Sequence, residues 1–152
     1  MKKLVIAAMV YTALGLAGGL LFREATKSAG PNGEAFTGHT ELAVVHTHLL
    51  VLGLLVMLIV LALDKLFALS GSKVFGWFFW VYNAGLVVTV TMMVIIGFRQ
   101  IDKPELVDTP AALAGIAGLG HILLTAALVL FFVSLYPAVT KGEKPAVARE
   151  IG

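Results

Sequence analysis

The sequence predicts an all-α integral membrane protein, a bundle of four transmembrane helices with almost nothing left over for a soluble domain. Three observations carry that prediction. The chain of 152 residues is 59% hydrophobic and only 13% charged, whereas soluble domains run about 45–50% apolar and about 25% charged. Its mean hydropathy is +0.97. The apolar residues fall into four blocks, 4–22, 42–63, 74–98 and 112–136, each long enough to cross ~30 Å of hydrocarbon, for which ~20 helical residues suffice. None alternates like a barrel strand, so the spans are helices, the open-chain structure that satisfies its own backbone in lipid. Residues 1–140 then form one four-span domain, and 141–152 a polar tail predicted to fray.

The first block follows Lys2 and Lys3 and has the look of a signal peptide. It is longer than an ordinary h-region and ends in Phe22-Arg23-Glu24, not in a small-x-small cleavage site. Gly15-Leu16-Ala17 is the nearest match, but apolar residues continue beyond it, so the block is read as a retained span whose Gly15 and Gly19 serve helix packing. Gly30-Pro31-Asn32-Gly33 breaks the first loop, and Gly38 with Glu41 gives a weak start signal for the second span. Ser70-Gly71-Ser72 breaks the second loop. Asp108-Thr109-Pro110 is a strong start for the fourth span, a polar cap followed by proline at the first helical position.

Lysine and arginine near the span ends set the orientation. The side holding the N-terminus, the second loop and the C-terminus carries Lys2, Lys3, Lys65, Lys73, Lys141, Lys144 and Arg149; the other side carries only Arg23, Lys27, Arg99 and Lys103. Most acidic residues sort the opposite way. Both termini are therefore predicted to be cytoplasmic, in a multi-pass protein of a bacterial cell membrane. Trp77, Trp80 and Tyr136 fall toward the cytoplasmic ends of their spans, where aromatic belts form. A net charge of +2 with no basic stripe gives no basis for a nucleic-acid partner.

Histidine heads the short list of residues able to carry chemistry. Cysteine is absent, which excludes disulfides, cysteine-bound iron–sulfur clusters and covalent c-type heme. Under the predicted topology His39 lies at the outer rim. His46 and His48 lie about one to two turns below the outer surface, and His121 about two to three turns below it. Ionisable residues inside a span are costly and usually functional. At ~100° per residue, His46 and His48 point to opposite sides of one helix, while His39, if helical, shares the face of His46. The residues before His121, Ala111 to Gly120, are mostly small, and a helical side chain leans over the residues three and four before it. For His121 these are Gly118 and Ala117, which leave space for a flat macrocycle. The competing reading is that the small residues let helices pack closely.

The run from Gly38 to Gly53 contains His46-Thr47-His48-Leu49 followed by Gly53. It resembles the H-x-H-L-x-x-x-G signature of a helix in nitric-oxide reductases and related members of the heme–copper oxidase superfamily. The resemblance implies a role for His46 as ligand to a high-spin heme and for His48 as ligand to a low-spin heme. Over its whole length the chain is also similar to a family of small bacterial four-helix membrane proteins of unknown function. That likeness rests on Arg23-Glu24-x-Thr26-Lys27, Val45-His46-Thr47-His48, Tyr82-Asn83 and Gly115-Ile116-Ala117-Gly118-x-Gly120-His121. The oxidase subunit has twelve spans in an approximate three-fold arrangement of four-helix arcs. The resemblance therefore implies one arc here, a homotrimer, and heme b bridging His48 and a histidine of a neighbouring copy or of the fourth helix. The oxidase's histidines for a second metal are not supplied by this chain.

Among other polar residues, Arg23 and Arg99 end the first and third spans at the outer face, where they are candidates to pair with heme propionates or to snorkel. Tyr82 and Asn83 are expected to bond to neighbouring helices. Three functions stay open from sequence. The first is a b-type heme protein for electron transfer or diatomic gas binding. The second is a copper or zinc protein using His39, His46, His48 or His121. The third is a non-catalytic assembly partner whose histidines only hydrogen-bond. Turnover and a redox partner have no signature in the chain.

Overall fold

The computed structural model describes residues 1–105 and 108–142. It contains four long helices: α1 (Lys2–Thr26), α2 (Leu42–Phe67), α3 (Lys73–Asp102) and α4 (Ala111–Gly142). All four are long and apolar enough to cross a membrane, and the described residues contain no strand. The polar tail predicted from sequence begins inside α4, and residues 143–152 lie outside the described residues.

Each helix overruns its apolar block. An apolar pattern reports where hydrocarbon ends, but a helix continues until its hydrogen-bond ladder is capped. At the end of α2 that point is Ala68, whose left-handed backbone (φ 53) stops the helix while its N–H donates to the Asp64 carbonyl. The Asp64 side chain, 2% exposed, accepts from the Ser70 N–H at 2.6 Å and lies 3.6 Å from the Met1 amino group. This one carboxylate ties the α2–α3 turn to the start of α1. Ser72 then caps α3 by accepting from the Val74 N–H.

The pair α1/α2 packs along its length, as does α3/α4, while α1 and α4 do not pack on each other. The helices α2 and α3 thus form the middle of the assembly. Leu4, Tyr11, Val45, Met57, Phe78, Tyr82, Leu86 and Phe131 belong to one continuous buried cluster. The rings of Phe78 and Phe131 stand 5.1 Å apart across the α3/α4 contact.

Lipid tails are as apolar as leucine, so helix association in a membrane depends on close packing and hydrogen bonds. The close approaches here are made by glycine. A Cβ on Gly120 would fall 2.4 Å from Thr89 Oγ1 and 2.9 Å from the Thr89 backbone nitrogen. One on Gly97 would fall 2.6 Å from the Leu42 nitrogen, and one on Gly15 would fall 2.7 Å from a Leu50 methyl. The packing role expected for Gly15 is thus realised; Gly19 makes only ordinary contact. Gly115 and Gly118 behave differently, because a Cβ on either would meet nothing within 4 Å. The small residues at the start of α4 face outward from the chain.

Gly120→Ala is expected to force α3 and α4 apart and to lower stability by about 1–3 kcal/mol. Gly76→Ala, where a Cβ meets nothing within 4 Å, should leave it unchanged or slightly raised, since alanine is the better helix former. Thermal unfolding in detergent compares the two.

Candidate histidine site

The N-terminal end of α2 is fixed to α3 before any histidine is placed. Thr40 is buried; its hydroxyl donates to the Gly97 carbonyl at 2.9 Å and accepts from the Leu42 N–H at 3.3 Å. The Glu41 N–H donates to Gln100 Oε1 at 2.7 Å. Glu41 is thus the N-cap residue, with the Thr40 hydroxyl before it receiving the first helical N–H, and Gly38 takes no part.

His39 consequently precedes the helix and does not share a helical face with His46. Its side chain is 81% exposed, and Nε2 lies 3.9 Å from Glu41 Oε1. The other three histidines are helical. His46 and His48 fall in the first turns of α2, where one α-helical stretch (Leu42–His48) precedes seven residues of wider π-helical turn (Leu49–Leu55). Their opposite facing follows from ~100° per residue.

His48 Nδ1 is 2.9 Å from the Val44 carbonyl, and His121 Nδ1 is 3.1 Å from the Ala117 carbonyl. A carbonyl only accepts, so in both rings Nδ1 carries a proton, and in the neutral form of each ring Nε2 presents the lone pair. Neither Nε2 has a hydrogen-bond partner among the described residues, and neither is among the buried unpaired atoms. This is the tautomer of a metal-binding imidazole whose other nitrogen is anchored by a carbonyl. His121 is exposed and His48 half-buried.

His46 is held otherwise. A Cβ on Gly19 would lie 3.9 Å from the His46 Cβ and 4.0 Å from its Cγ, so the residue sits against α1. Its Nδ1 is buried with no partner, while Nε2 lies 3.3 Å from Thr47 Oγ1. A planar macrocycle has no room between His46 and the α1 backbone at that point.

The chain does not assemble its histidines into one cluster. The N-terminal half of α2 and the helix α4 do not pack on each other, and α3 stands between them. Among the described residues no group of three or more His, Cys, Asp or Glu side chains could hold a metal ion. Arg23 and Arg99 fall in the last turns of α1 and α3, which continue to Thr26 and Asp102, and neither guanidinium pairs with a carboxylate among the described residues. Glu24 is paired locally with Lys27.

Sequence reasoning placed Tyr82 and Asn83 as links between helices, and both are. Tyr82 donates to the Leu52 carbonyl at 3.0 Å, and Asn83 Oδ1 accepts from the Tyr11 hydroxyl at 2.6 Å. It missed the π-helical stretch directly after His48. The residues there, Leu49-Leu50-Val51-Leu52-Gly53-Leu54-Leu55, carry no side-chain signal that separates an α turn from a wider one; Gly53 is the one hint.

Thr40→Val should cost about 1–3 kcal/mol, because it leaves the buried Gly97 carbonyl without its donor. His46→Leu removes a buried nitrogen that has no partner and should leave stability unchanged or raised. Unfolding midpoints of the two variants in the same detergent check both directions.

Residues 1–138 match the profile of a family described as a protein of unknown function, DUF2871, and the chain belongs to that family. No curated protein and no solved structure matches it. The family match carries no link to nitric-oxide reductases or heme–copper oxidases.

Proposed function

We propose that this member of the DUF2871 family is a membrane b-type heme-binding protein, with its site in the outer half of the bilayer and both termini in the cytoplasm. The observation that carries the reading is the matched state of His48 and His121. Each has Nδ1 anchored to the carbonyl four residues back and an Nε2 lone pair left free. An imidazole that served only to hydrogen-bond across helices would spend Nε2 on a neighbour.

His48 and His121 would hold the heme through their Nε2 atoms, and the outward-facing Gly115 and Gly118 leave open space beside α4 for a bulky group. Arg23 and Arg99, free of carboxylate partners among the described residues, would meet the propionates through paired N–H donors. When bound, the heme supplies a one-electron iron couple or, with a single histidine, an open position for a diatomic ligand. The protein's own part would be to fix the imidazole tautomer and ring orientation through the carbonyl contact.

The stretch of α2 that bears His48 does not pack on α4 within one chain, although the later stretch, Val56–Phe67, does. The reading therefore assigns the two histidines of one site to neighbouring copies, and a closed ring of copies, such as the homotrimer suggested by the oxidase resemblance, would supply both at every site. A copper or zinc ion would face the same requirement, since no three-residue donor set exists among the described residues.

The test is an oxidised and dithionite-reduced absorption spectrum of protein purified from heme-sufficient cells, with a detergent-corrected mass. A Soret band with sharp α and β bands on reduction is expected, in an oligomer. His48→Ala and His121→Ala should each abolish the low-spin component, and His39→Ala should spare it. A colourless protein after heme supplementation rejects the heme reading and directs attention to elemental analysis. A heme-replete monomer rejects the shared site.

A further inference from the structure

The seven residues after His48 are the least expected feature of the chain. Within Leu49–Leu55 the ladder lengthens, so that the Val56 N–H reaches the Val51 carbonyl, five residues back. A π-helical turn is rarely stable in isolation and is found mostly where its surroundings hold it, frequently beside functional residues. Each residue accommodated by widening rotates the preceding part of the helix by about 100° relative to an uninterrupted α-helix. The preceding part here is Leu42–His48, which carries both membrane histidines.

Two contacts grip the widened turn from different helices. From α3, the Tyr82 hydroxyl donates to the Leu52 carbonyl at 3.0 Å, and the ring itself is 1% exposed. From α1, Tyr11 lies over Gly53 so closely that a Cβ there would fall 2.5 Å from the Tyr11 Cβ and Cγ. Tyr11 also donates to Asn83, the residue next to Tyr82, so the two grips are joined at α3. In hydrocarbon there is no water to compete for the Leu52 carbonyl, which makes a single hydroxyl donor decisive there.

We propose that Tyr82 is a positioning residue for the histidine pair: by donating to Leu52 it holds the π-helical turn that sets which way His46 and His48 face. Its effect on a ligand rests on the heme reading above; its effect on the helix does not. Loss of the donor lets the turn relax to α-helix, and the segment from Leu42 to His48 then turns against its anchorage at Thr40 and Gly97. Nε2 of His48 is carried off its present direction, and His46 leaves the Gly19 wall.

The absence of cysteine makes the test direct. Single cysteines at Val44, Thr47 and Val51, which are exposed, and at Leu50, which is half-buried, carry a nitroxide label in the full chain reconstituted in phospholipid vesicles. Collision with dissolved oxygen reports which labels face lipid. In the parent, labels at 44, 47 and 51 should be the accessible ones. In Tyr82→Phe, which keeps the ring and deletes the donor, accessibility at 44 and 47 should fall at least two-fold relative to 51, with a rise at 50. Tyr11→Phe, which removes a hydroxyl bond of the same kind but leaves the Leu52 carbonyl paired, should keep the parent pattern. An unchanged pattern in Tyr82→Phe overturns the proposal, as does an equal change in Tyr11→Phe, which would mean general loosening. If Tyr82→Phe does not accumulate, Gly53→Ala attacks the same turn from the α1 side and is read by the same labels. The low-spin electron-paramagnetic signal of heme-loaded protein is recorded in parallel. A shifted label pattern with an unshifted heme signal retains the positioning role and rejects His48 as the ligand. A protein that takes up no heme rejects the functional reading and leaves the label result to decide this one.

Discussion

Close backbone approach onto α3 is the constraint on which the remaining geometry rests. Membrane helices gain little from burying apolar surface against one another, since lipid already surrounds that surface. What holds this chain together is therefore local. Gly97 admits the start of α2, while Gly85 against Leu124 and Gly120 against Thr89 bring α3 and α4 together. Tyr82 and Asn83 reach across to α2 and α1. With α3 fixed in this way, the histidines on α2 and α4 are separated by the helix that organises them both. Their separation is a consequence of the packing and not an accident of side-chain placement.

How much of this the sequence disclosed follows from which forces leave a mark on residue type. The bilayer does, because each span must be apolar over its full width, and the four spans were accordingly readable with their order and approximate ends. The helix ends were underestimated wherever charged residues continued the ladder past the lipid, as at Arg23 to Thr26 and Arg99 to Asp102. Asp64 was legible only as a charge at the end of a span, because nothing in its sequence neighbours reveals that its oxygens close a turn. The glycines separate into two kinds that composition cannot distinguish. Gly120 is packed to backbone contact, whereas Gly118, two residues away, faces open space.

The candidate site was legible in residue identity and illegible in arrangement. The opposed facing of His46 and His48 follows from their spacing once both are helical, as they are. Their inequality does not follow. One ring is anchored through a carbonyl with a free lone pair, and the other is pressed against α1 with an orphaned nitrogen. Only the position of Gly18 and Gly19 on the neighbouring helix decides which is which. The placement of His39 outside the helix has a similar origin. Thr40, two residues before the helix begins, satisfies the first free N–H and binds Gly97, so the ladder has no reason to extend further back.

The two grips on the π-helical stretch bear on why an imidazole pair should be carried on a strained segment at all. A regular α-helix through residues 42–67 would satisfy its own backbone without help from Tyr82 or Tyr11, and would be the lower-energy choice in lipid. The wider turn survives because two other helices supply contacts that the α-helical form would lose. A segment held in that way has its rotation written by α1 and α3 and not by its own sequence. Its histidines therefore report on the packing of the whole bundle, and any change in how α3 seats against α2 is converted into a change in where an imidazole lone pair points.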